Sequence, residues 1–342
     1  MTISEAARRA KSASPSPPRV GFLGTGWIGR NRMQAMVAAG AIKTVAVADP
    51  SSDATQKALT IAPGATAAAS LDDLLDIGVD AVVIATPSAL HATQAIHALE
   101  RGAAVFCQKP LGRTMAEVAA VVETARAADR LLGVDLSYRF TEGMQGVRAA
   151  IAAGELGKVH AADLVFHNAY GPDKPWFYEP ELSGGGCLID LGVHLVDLAL
   201  WVLGFPKVAG ASGALFAKGR RLGRTPTDVE DYVEASIELD GGRIIRLACS
   251  WGLHAGCDAV ISAAFHGDKG GALFHNVGGS FYAFEAELFR GPHRRALAGP
   301  PDAWGGRAGC EWARRLSAGE RFDLNADQFI EVARILDLIY GR

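Results

Sequence analysis

Asp190, His194 and Asp197 are the polar residues of a segment, SGGGCLIDLGVHLVD (183–197), that otherwise consists of glycine, small residues and aliphatic residues. An α-helix turns about 100° per residue, so the three positions fall on one stripe about 60° wide. The apolar surroundings predict a buried helix, where a carboxylate or an imidazole is costly unless it has a partner. The stripe therefore indicates a functional site or a satisfied polar network.

Three interpretations fit this stripe. Asp190 and His194, four residues apart, have the spacing of zinc ligands, although no third cluster of Cys or His accompanies them. The stripe also fits a polar network that serves packing alone. The third interpretation is catalytic: His194, with a pKa tuned by Asp190, takes a proton from a substrate alcohol. Gly184–Gly186 would then let the backbone approach a cofactor or substrate closely.

A second chemical signal is the G-x-G-x-x-G pattern of Gly24, Gly26 and Gly29 in VGFLGTGWIG. The pattern follows a predicted strand and begins a predicted helix, as in a dinucleotide site. There the first glycine allows a tight turn, the second lets the backbone approach a pyrophosphate, and the third permits close packing of helix on strand. The helix start, with Trp27 and Ile28, offers free N–H groups to the phosphates.

Asp49 ends the next predicted strand, about twenty residues further on, where a dinucleotide site carries the acid that binds the ribose hydroxyls. A carboxylate there repels a 2′-phosphate, and the following Pro50, Ser51 and Ser52 supply no arginine to neutralise one. The sequence therefore predicts NAD as the cofactor, with NADP disfavoured.

Two further strand ends carry unusual residues, Thr86-Pro87 after AVVIA and Gln108-Lys109-Pro110 after AVFC. Ligands of open α/β sheets bind outside the carboxyl ends of the strands, so both segments are predicted to face the cofactor cleft. Lys109 follows a buried run, which distinguishes it from a mobile surface lysine. Its ammonium can donate to a substrate hydroxyl and stabilise negative charge as that oxygen loses its proton.

The elements that must position these residues form two groups. From residue 19 to 138, continuous apolar runs alternate with helix-length runs, which predicts a parallel sheet of βαβ units. The strands predicted there are RVGFLG, TVAVAD, AVVIAT, AVFCQ and LGVDL. From 139 to 342 we expect a substrate-binding and oligomerisation domain, α+β, with an open, mostly antiparallel sheet. Its predicted features include a hairpin turn at Asp240-Gly241, a C-terminal helix within ADQFIEVARILDLIYG and a mobile loop at 219–228.

Composition limits the classes of function. The net charge of −3 shows no excess or clustering of basic residues, so we expect neither a nucleic-acid partner nor a polybasic membrane patch. Five scattered cysteines without C-x-x-C spacing favour a reducing cytoplasm. Residues 1–18 contain no apolar region typical of a secretory signal and are expected to form a disordered tail. No apolar run reaches the ~20 residues that cross a bilayer.

The chain resembles the Gfo/Idh/MocA family, the glucose–fructose oxidoreductase and inositol dehydrogenase group, over nearly all of residues 19–342. The resemblance rests on the motifs VGFLGTGWIG, ATPSALH, QKPLG, YRF, GGGCLIDLGVHLVD and HGDKGG in this order. It implies a Rossmann domain followed by an open, mostly antiparallel sheet that mediates homodimers or homotetramers. It also implies an NAD(P)-dependent oxidoreductase.

Residue by residue, the resemblance assigns the catalytic set to Lys109, Asp190 and His194. It assigns substrate contacts to these three residues together with Arg139 and His167, and a supporting role in the helix to Asp197. It assigns the nicotinamide side of the cofactor site to Thr86, Pro87, His91, Gln108 and Lys109. One departure is that the family's usual Glu-Lys-Pro reads Gln108-Lys109-Pro110, so a carboxylate near the cofactor is replaced by an amide.

The leading hypothesis is reversible oxidation of a secondary alcohol on a sugar, a sugar derivative or a cyclitol, with hydride passing to NAD. Tyr170 and Trp176 are expected to add hydrogen bonding and stacking to the polyol site. A cofactor-binding regulator without turnover is the alternative from another class, since a fold does not establish chemistry. A reductase of a non-sugar carbonyl, of the dihydrodiol or biliverdin type, is a further alternative.

Overall fold

The computed structural model describes residues 16–223 and 228–342, and two β-sheets organise this part of the chain. Residues 1–15 of the expected tail and 224–227 of the expected loop lie outside the described residues. One sheet is built entirely from the first 134 residues and the other entirely from residues after 158. The exact division near residue 138 stays a prediction.

The first sheet has six parallel strands in the order β3-β2-β1-β4-β5-β6. They are β1 (Arg19–Leu23), β2 (Lys43–Ala48), β3 (Thr66–Ala68), β4 (Ala81–Ile84), β5 (Ala104–Cys107) and β6 (Leu132–Val134). This is the strand order of the Rossmann fold, whose ligand crevice lies where the order reverses, beyond the ends of β1 and β4. The sequence predicted five of these strands and missed the short edge strand β3.

Five helices connect these strands: α1 (Trp27–Ala39), α2 (Ser52–Ile61), α3 (Leu71–Asp76), α4 (Ser88–Glu100) and α5 (Met115–Ala128). Local chemistry fixes several of their ends. The side chains of Ser51, Ser70 and Thr114 each accept a backbone N–H in the first turn of α2, α3 and α5. The start of α1 at Gly26, in contrast, has no side-chain cap.

The second sheet has nine strands in the order β15-β14-β13-β12-β7-β11-β10-β8-β9. They are β7 (Val159–Asn168), β8 (Val208–Ala217), β9 (Arg220–Arg221), β10 (Tyr232–Leu239), β11 (Arg243–Ser250), β12 (Ala259–Gly267), β13 (Gly271–Asn276), β14 (Phe284–Arg290) and β15 (His293–Ala298). All neighbours are antiparallel except β7 and β11. The predicted mostly antiparallel sheet is thereby confirmed, and so is the hairpin at Asp240-Gly241.

The remaining helices are α6 (Glu142–Ala152), α7 (Pro180–Ser183), α8 (Val193–Val202), α9 (Arg307–Ser317) and α10 (Asp327–Tyr340). Helices α6, α8 and α10 pack on one face of the second sheet. Helices α9 and α10 also return to the first sheet, where Trp312 and Ala333 join the two cores that cover its faces. The chain's last forty residues therefore fasten the two sheets together.

Several elements differ from the sequence predictions. Strands β7, β8, β9 and β15 and helix α9 were not predicted, and β9 lies within the segment that was expected to be a mobile loop. Strand β8 (VAGASGALFA) consists mainly of small residues and β15 (HRRALA) begins with three exposed basic residues, so neither shows the alternation of a half-buried strand. One helical stretch, Pro180–Val202, is long and apolar enough to cross a membrane, but 94% of its apolar 18-residue window is buried inside the protein.

Candidate active site

The glycine loop after β1 has the geometry that a dinucleotide site requires. Gly24 has a φ of +84°, and a Cβ there would lie 2.5 Å from the Ala85 carbonyl oxygen. A Cβ on Gly29 would lie 2.1 Å from the Gly24 carbonyl oxygen, so this glycine allows the helix to pack on the loop. Gly26 faces open space, with no atom within 4 Å of a built Cβ. The uncapped helix start at Gly26 is thus free to receive a phosphate.

Asp49 is fixed at the carboxyl end of β2. Its Oδ2 accepts the N–H of Thr25 at 2.6 Å and its Oδ1 accepts the N–H of Ser51 at 2.9 Å. Arg30 lies nearby on α1, but its guanidinium donates to the carbonyl of Thr25 at 2.6 Å. The residue expected to bind the ribose therefore lies directly beside the glycine loop.

His91 connects the two strand-end loops that the sequence assigned to the cofactor. Its Nδ1 lies 2.6 Å from the Pro110 carbonyl oxygen, and its Nε2 lies 2.7 Å from the Thr86 carbonyl oxygen. Burial lowers the pKa of this histidine, and the positive charge of Lys109 lowers it further. His91 therefore bridges the backbones of the two loops. The Thr86 hydroxyl donates to Gln94 at 2.6 Å.

Lys109 and Asp190 meet across the junction of the two domains. The ammonium of Lys109 donates to Oδ1 of Asp190 at 2.6 Å and to its backbone oxygen at 2.6 Å. The indole N–H of Trp251 donates to the other carboxylate oxygen, Oδ2, at 3.1 Å. An ammonium has three N–H donors, so one remains for a substrate oxygen. The sequence analysis did not identify Trp251, which directly follows β11.

His194 is buried in the first turn of α8. Its ring packs edge-on against Tyr138, with 4.9 Å between ring centroids. Burial lowers its pKa well below the usual value, and the charges of Lys109 and Arg32 add to the effect. The imidazole is therefore neutral at pH 7, which is the form in which a histidine can accept a proton. This cause differs from the expected tuning by Asp190, whose carboxylate is bound to Lys109 and Trp251 instead.

The segment that carries Asp190 is not the regular α-helix that the sequence predicted. Residues Leu188–Gly192 form a π-helical turn, and α8 begins only at Val193. Such wide turns occur frequently at functional sites. Asp190 contacts Lys109 of the first domain and Trp251 of the second, His194 packs against Tyr138, and Asp197 pairs with Arg139.

The glycines before this turn serve packing, which corrects the expectation that they admit a cofactor or substrate. A Cβ on Gly186 would lie 1.9 Å from the Glu230 carbonyl oxygen, and one on Gly185 would lie 2.0 Å from the Tyr340 hydroxyl. The buried carboxylate of Glu230 accepts the N–H groups of Gly186 and Leu188 at 2.9 Å each. It also accepts the Tyr340 hydroxyl at 2.8 Å. Glu230 therefore anchors the start of the segment that carries Asp190.

Arg139 and Asp197 form a buried ion pair. The Arg139 Nε donates to Oδ2 of Asp197 at 2.8 Å, and a second bond joins Nη2 to Oδ1. The Nη1 group of Arg139 donates to Gln328 at 3.2 Å. These contacts fit the supporting role expected for Asp197. They leave Arg139 engaged with protein partners, whereas the resemblance implied a substrate contact.

His167 lies on the other face of the second sheet from His194, which corrects its expected role in substrate binding. Phe166, the residue before His167 in β7, faces the core, and its ring centroid lies 6.5 Å from that of His194. His167 instead bonds to the Ser250 hydroxyl at 2.7 Å and stacks on Tyr232. Strand alternation places the next residue, Asn168, on the His194 face. Its amide oxygen is buried and has no hydrogen-bond partner among the described residues, which makes Asn168 the better candidate.

Several aromatic side chains pack around Trp251, the partner of Asp190. Trp176 stacks on Phe177 with 3.8 Å between centroids, and the half-exposed Tyr178 lies edge-on to Trp251 at 5.6 Å. Tyr170 is also half exposed and lies 6.1 Å from Phe281. Within the described residues, no group of three His, Cys, Asp or Glu side chains is placed to hold a metal ion.

Residues 18–136 match a family model described as "Oxidoreductase family, NAD-binding Rossmann fold", and residues 144–273 match the GFO/IDH/MocA C-terminal domain. A putative UDP-kanosamine synthase oxidoreductase subunit of Amycolatopsis mediterranei is 31% identical over 258 residues, which cover 71% of each chain. The chain belongs to the Gfo/Idh/MocA family.

Other comparisons agree with this membership. D-glucoside 3-dehydrogenase of Escherichia coli is 32% identical over 209 residues, 58% of this chain, and the chain spans only three fifths (60%) of that relative. The solved structure of a levoglucosan dehydrogenase with NADH and L-sorbose has a TM-score of 0.80 over 95% of this chain and 96% of that one, at 20% identity. At that identity the likeness establishes the fold.

The residues of this chain fit the dinucleotide that the family binds. Gly26 leaves open space at the uncapped start of α1, which suits a pyrophosphate. Asp49 supplies carboxylate oxygens for ribose hydroxyls at the end of β2. Beyond β4 and β5, the loops of Thr86 and Lys109 are joined by His91 and border the same crevice.

Proposed function

We propose that this protein is an NAD-dependent dehydrogenase that reversibly oxidises a secondary alcohol of a sugar, a sugar derivative or a cyclitol. The observation that carries the proposal is the ammonium of Lys109, held by Asp190 at the domain junction next to a buried, neutral His194. Such a pair suits an alcohol, because one group can hold the oxygen while the other takes its proton. Relatives named D-glucoside 3-dehydrogenase and inositol 2-dehydrogenase support a polyol substrate.

The residues divide the work as follows. The free N–H of Lys109 binds the substrate oxygen and stabilises the charge that develops as the proton leaves. His194 accepts that proton, and Asp190 with Trp251 holds Lys109 in place. NAD, when bound, would supply the acceptor for the hydride that leaves the carbon bearing this substrate oxygen. The Asn168 amide and the aromatic side chains of Trp176 and Tyr178 bind the remainder of the polyol.

NAD is preferred to NADP in this proposal because of Asp49. Its carboxylate repels a 2′-phosphate, and the nearby Arg30 is bound to the carbonyl of Thr25.

A cytoplasmic location belongs to the same proposal, since the five cysteines are all free. So does a homodimer or homotetramer formed through the open face of the second sheet, where Val165 and Leu273 are only partly covered. Light scattering in solution measures that assembly.

The test is to mix the purified protein with NAD and a panel of methyl glucosides, anhydro sugars and inositols, and to follow the absorbance of the reduced cofactor. Reduction with at least one polyol, slower with NADP, is the expected result. Binding of NADH without turnover across the whole panel would contradict the proposal and favour a cofactor-binding regulator.

A further inference from the structure

A buried network of three side chains lies behind Lys109. The Arg32 Nε on α1 donates to Oδ2 of Asp135 at 2.6 Å, and the side-chain amide of Gln108 donates to the same oxygen. Asp135 is 1% exposed, while Arg32 and Gln108 are 8% exposed. A carboxylate so deeply buried is costly unless it is paired and hydrogen-bonded. Arg32 and Gln108 both donate to Oδ2, while Oδ1 is buried without a hydrogen-bond partner among the described residues.

The same carboxylate lies between the segments that carry the acid–base residues. Gln108 directly precedes Lys109, so the amide that binds Asp135 also fixes the start of the Lys109 loop. Asp135 begins the segment that leads to Tyr138, whose ring packs against His194. The backbone N–H of Asp135 adds a bond to the Cys107 oxygen at 2.9 Å. A displacement of Asp135 would consequently move Lys109 and His194 relative to each other.

We propose that Asp135 is a positioning residue, which fixes Lys109 relative to His194 through its bonds to Gln108 and Arg32. The inference rests on the proposed dehydrogenase function. It also explains why residue 108 is a glutamine. A glutamate there would place a second carboxylate against Asp135 in a buried site, whereas the amide donates a hydrogen bond. In the Gln108–Asp135 pair, the amide donates the hydrogen bond and the carboxylate accepts it.

Side chains from several elements face His194. Because their charges affect the pKa of His194, NMR of this histidine can report on the network. Arg32 faces it from α1, Lys109 from the loop after β5, Asp135 and Tyr138 from the segment after β6, and Asp190 from the π-helical turn. Asp135 neutralises the Arg32 charge that lowers the pKa of His194. Replacement of Asp135 by asparagine leaves that charge uncompensated, so the pKa of His194 should fall further.

The experiment compares Asp135→Asn, Gln108→Glu and the double variant, which exchanges the carboxylate and the amide. Asp302→Asn is the matched control, since the Asp302 side chain is only 4% exposed and pairs with Arg307 at 2.7 Å. We expect each single variant to lower kcat by about tenfold to a hundredfold, as small displacements of reacting groups do. NADH binding to Asp135→Asn should change by less than about twofold, because Asp135 is not among the residues assigned to the cofactor site. The double variant should recover most of the lost kcat, and the control should keep it.

Several outcomes would overturn the proposal: an unchanged kcat in Asp135→Asn, a double variant no better than the worse single variant, or an equal loss in Asp302→Asn. If Asp135→Asn does not fold, the proposal is decided by whether the double variant has a higher kcat than Gln108→Glu alone.

If the wild-type protein turns over no polyol, the dehydrogenase proposal fails, and the histidine NMR spectrum still tests the network. The His194 signals should shift in Asp135→Asn, return in the double variant and stay in place in the control, and any other pattern would refute the positioning role.

Discussion

Lys109 and Asp190 lie 81 residues apart in the chain, yet the Lys109 ammonium is 2.6 Å from the Asp190 carboxylate. Lys109 lies in the loop after β5 of the first sheet, and Asp190 lies in the π-helical turn that leads into α8 against the second sheet. Their ion pair is therefore a direct link between the cofactor domain and the substrate domain. It is also only partly exposed, at 19% and 14% of the two side chains.

Replacement of Lys109 by methionine should lower kcat by a factor of roughly 10² to 10⁴, because the group that holds the substrate oxygen is lost. Asp190→Asn should also lower kcat, because the carboxylate accepts from Lys109 at Oδ1 and from Trp251 at Oδ2, whereas an amide offers only one acceptor oxygen. Steady-state kinetics measure both, with NADH fluorescence titration as the control for cofactor binding. A Lys109→Met variant with wild-type kcat would contradict the assignment.

His194→Ala should abolish hydride transfer while NAD binding stays nearly intact, because the proton acceptor is removed and the glycine loop is untouched. Since burial and Lys109 lower the pKa of His194, the wild-type kcat should hold from neutral pH down to below about 6.5. It should fall only at more acidic pH, where the imidazole becomes protonated. Full turnover in His194→Ala would refute its role.

Protein stability should fall as the pH drops below about 6.5, the usual pKa of histidine. The pKa values of His91, His167 and His194 are lowered in the folded state. Between each lowered pKa and 6.5, the unfolded chain binds more protons, so the free energy of unfolding decreases as the pH decreases. Each group contributes a slope of up to about 1.4 kcal/mol per pH unit.

Urea unfolding across pH 4 to 8 measures this slope, and His194→Gln should reduce it by one group's contribution. The comparison of the two proteins cancels the carboxylates that also titrate in this range. Equal slopes in the two proteins would show that His194 takes up its proton as readily in the folded state as in the unfolded state.

Tyr340→Phe should destabilise the protein by about 1 kcal/mol, because it removes one hydrogen bond to the buried Glu230. Glu230→Leu should cost more, roughly 3 kcal/mol, since the N–H groups of Gly186 and Leu188 then lose their acceptor. The same variant should lower kcat, because those N–H groups hold the start of the segment with Asp190. Thermal unfolding and kinetics test the two effects, and a stable, fully active Glu230→Leu would contradict the anchoring role.

Asp49→Ser should narrow the preference for NAD over NADP, since it removes the carboxylate that repels a 2′-phosphate. The affinity for NADH should fall by about tenfold, the equivalent of about 1.4 kcal/mol from lost charged hydrogen bonds. Fluorescence titration with NADH and NADPH gives both constants. An unaltered ratio of the two would show that Asp49 does not select the cofactor.

The sequence by itself determined the features that depend on residues close together in the chain. Continuous apolar runs marked the buried parallel strands, and Gly24, Gly26 and Gly29 defined the phosphate loop, because strand burial and tight turns depend on neighbouring residues. The short edge strand β3 and the strands β8 and β15 lack such a local signal, so their pairing was visible only in the folded chain.

Only the tertiary structure decided which side chains meet. Sheet register turned His167 away from His194 and placed Asn168 toward it, a difference of one residue that local pattern does not resolve. Hydrogen bonds between residues far apart in the sequence pair Asp190 with Lys109 and Gly186 with Glu230. Similar bonds pair Asp135 with Arg32 and Gln108. The physical reason is that a buried polar group must find its partner in three dimensions, and that partner is fixed by the packing of distant elements rather than by the adjacent sequence.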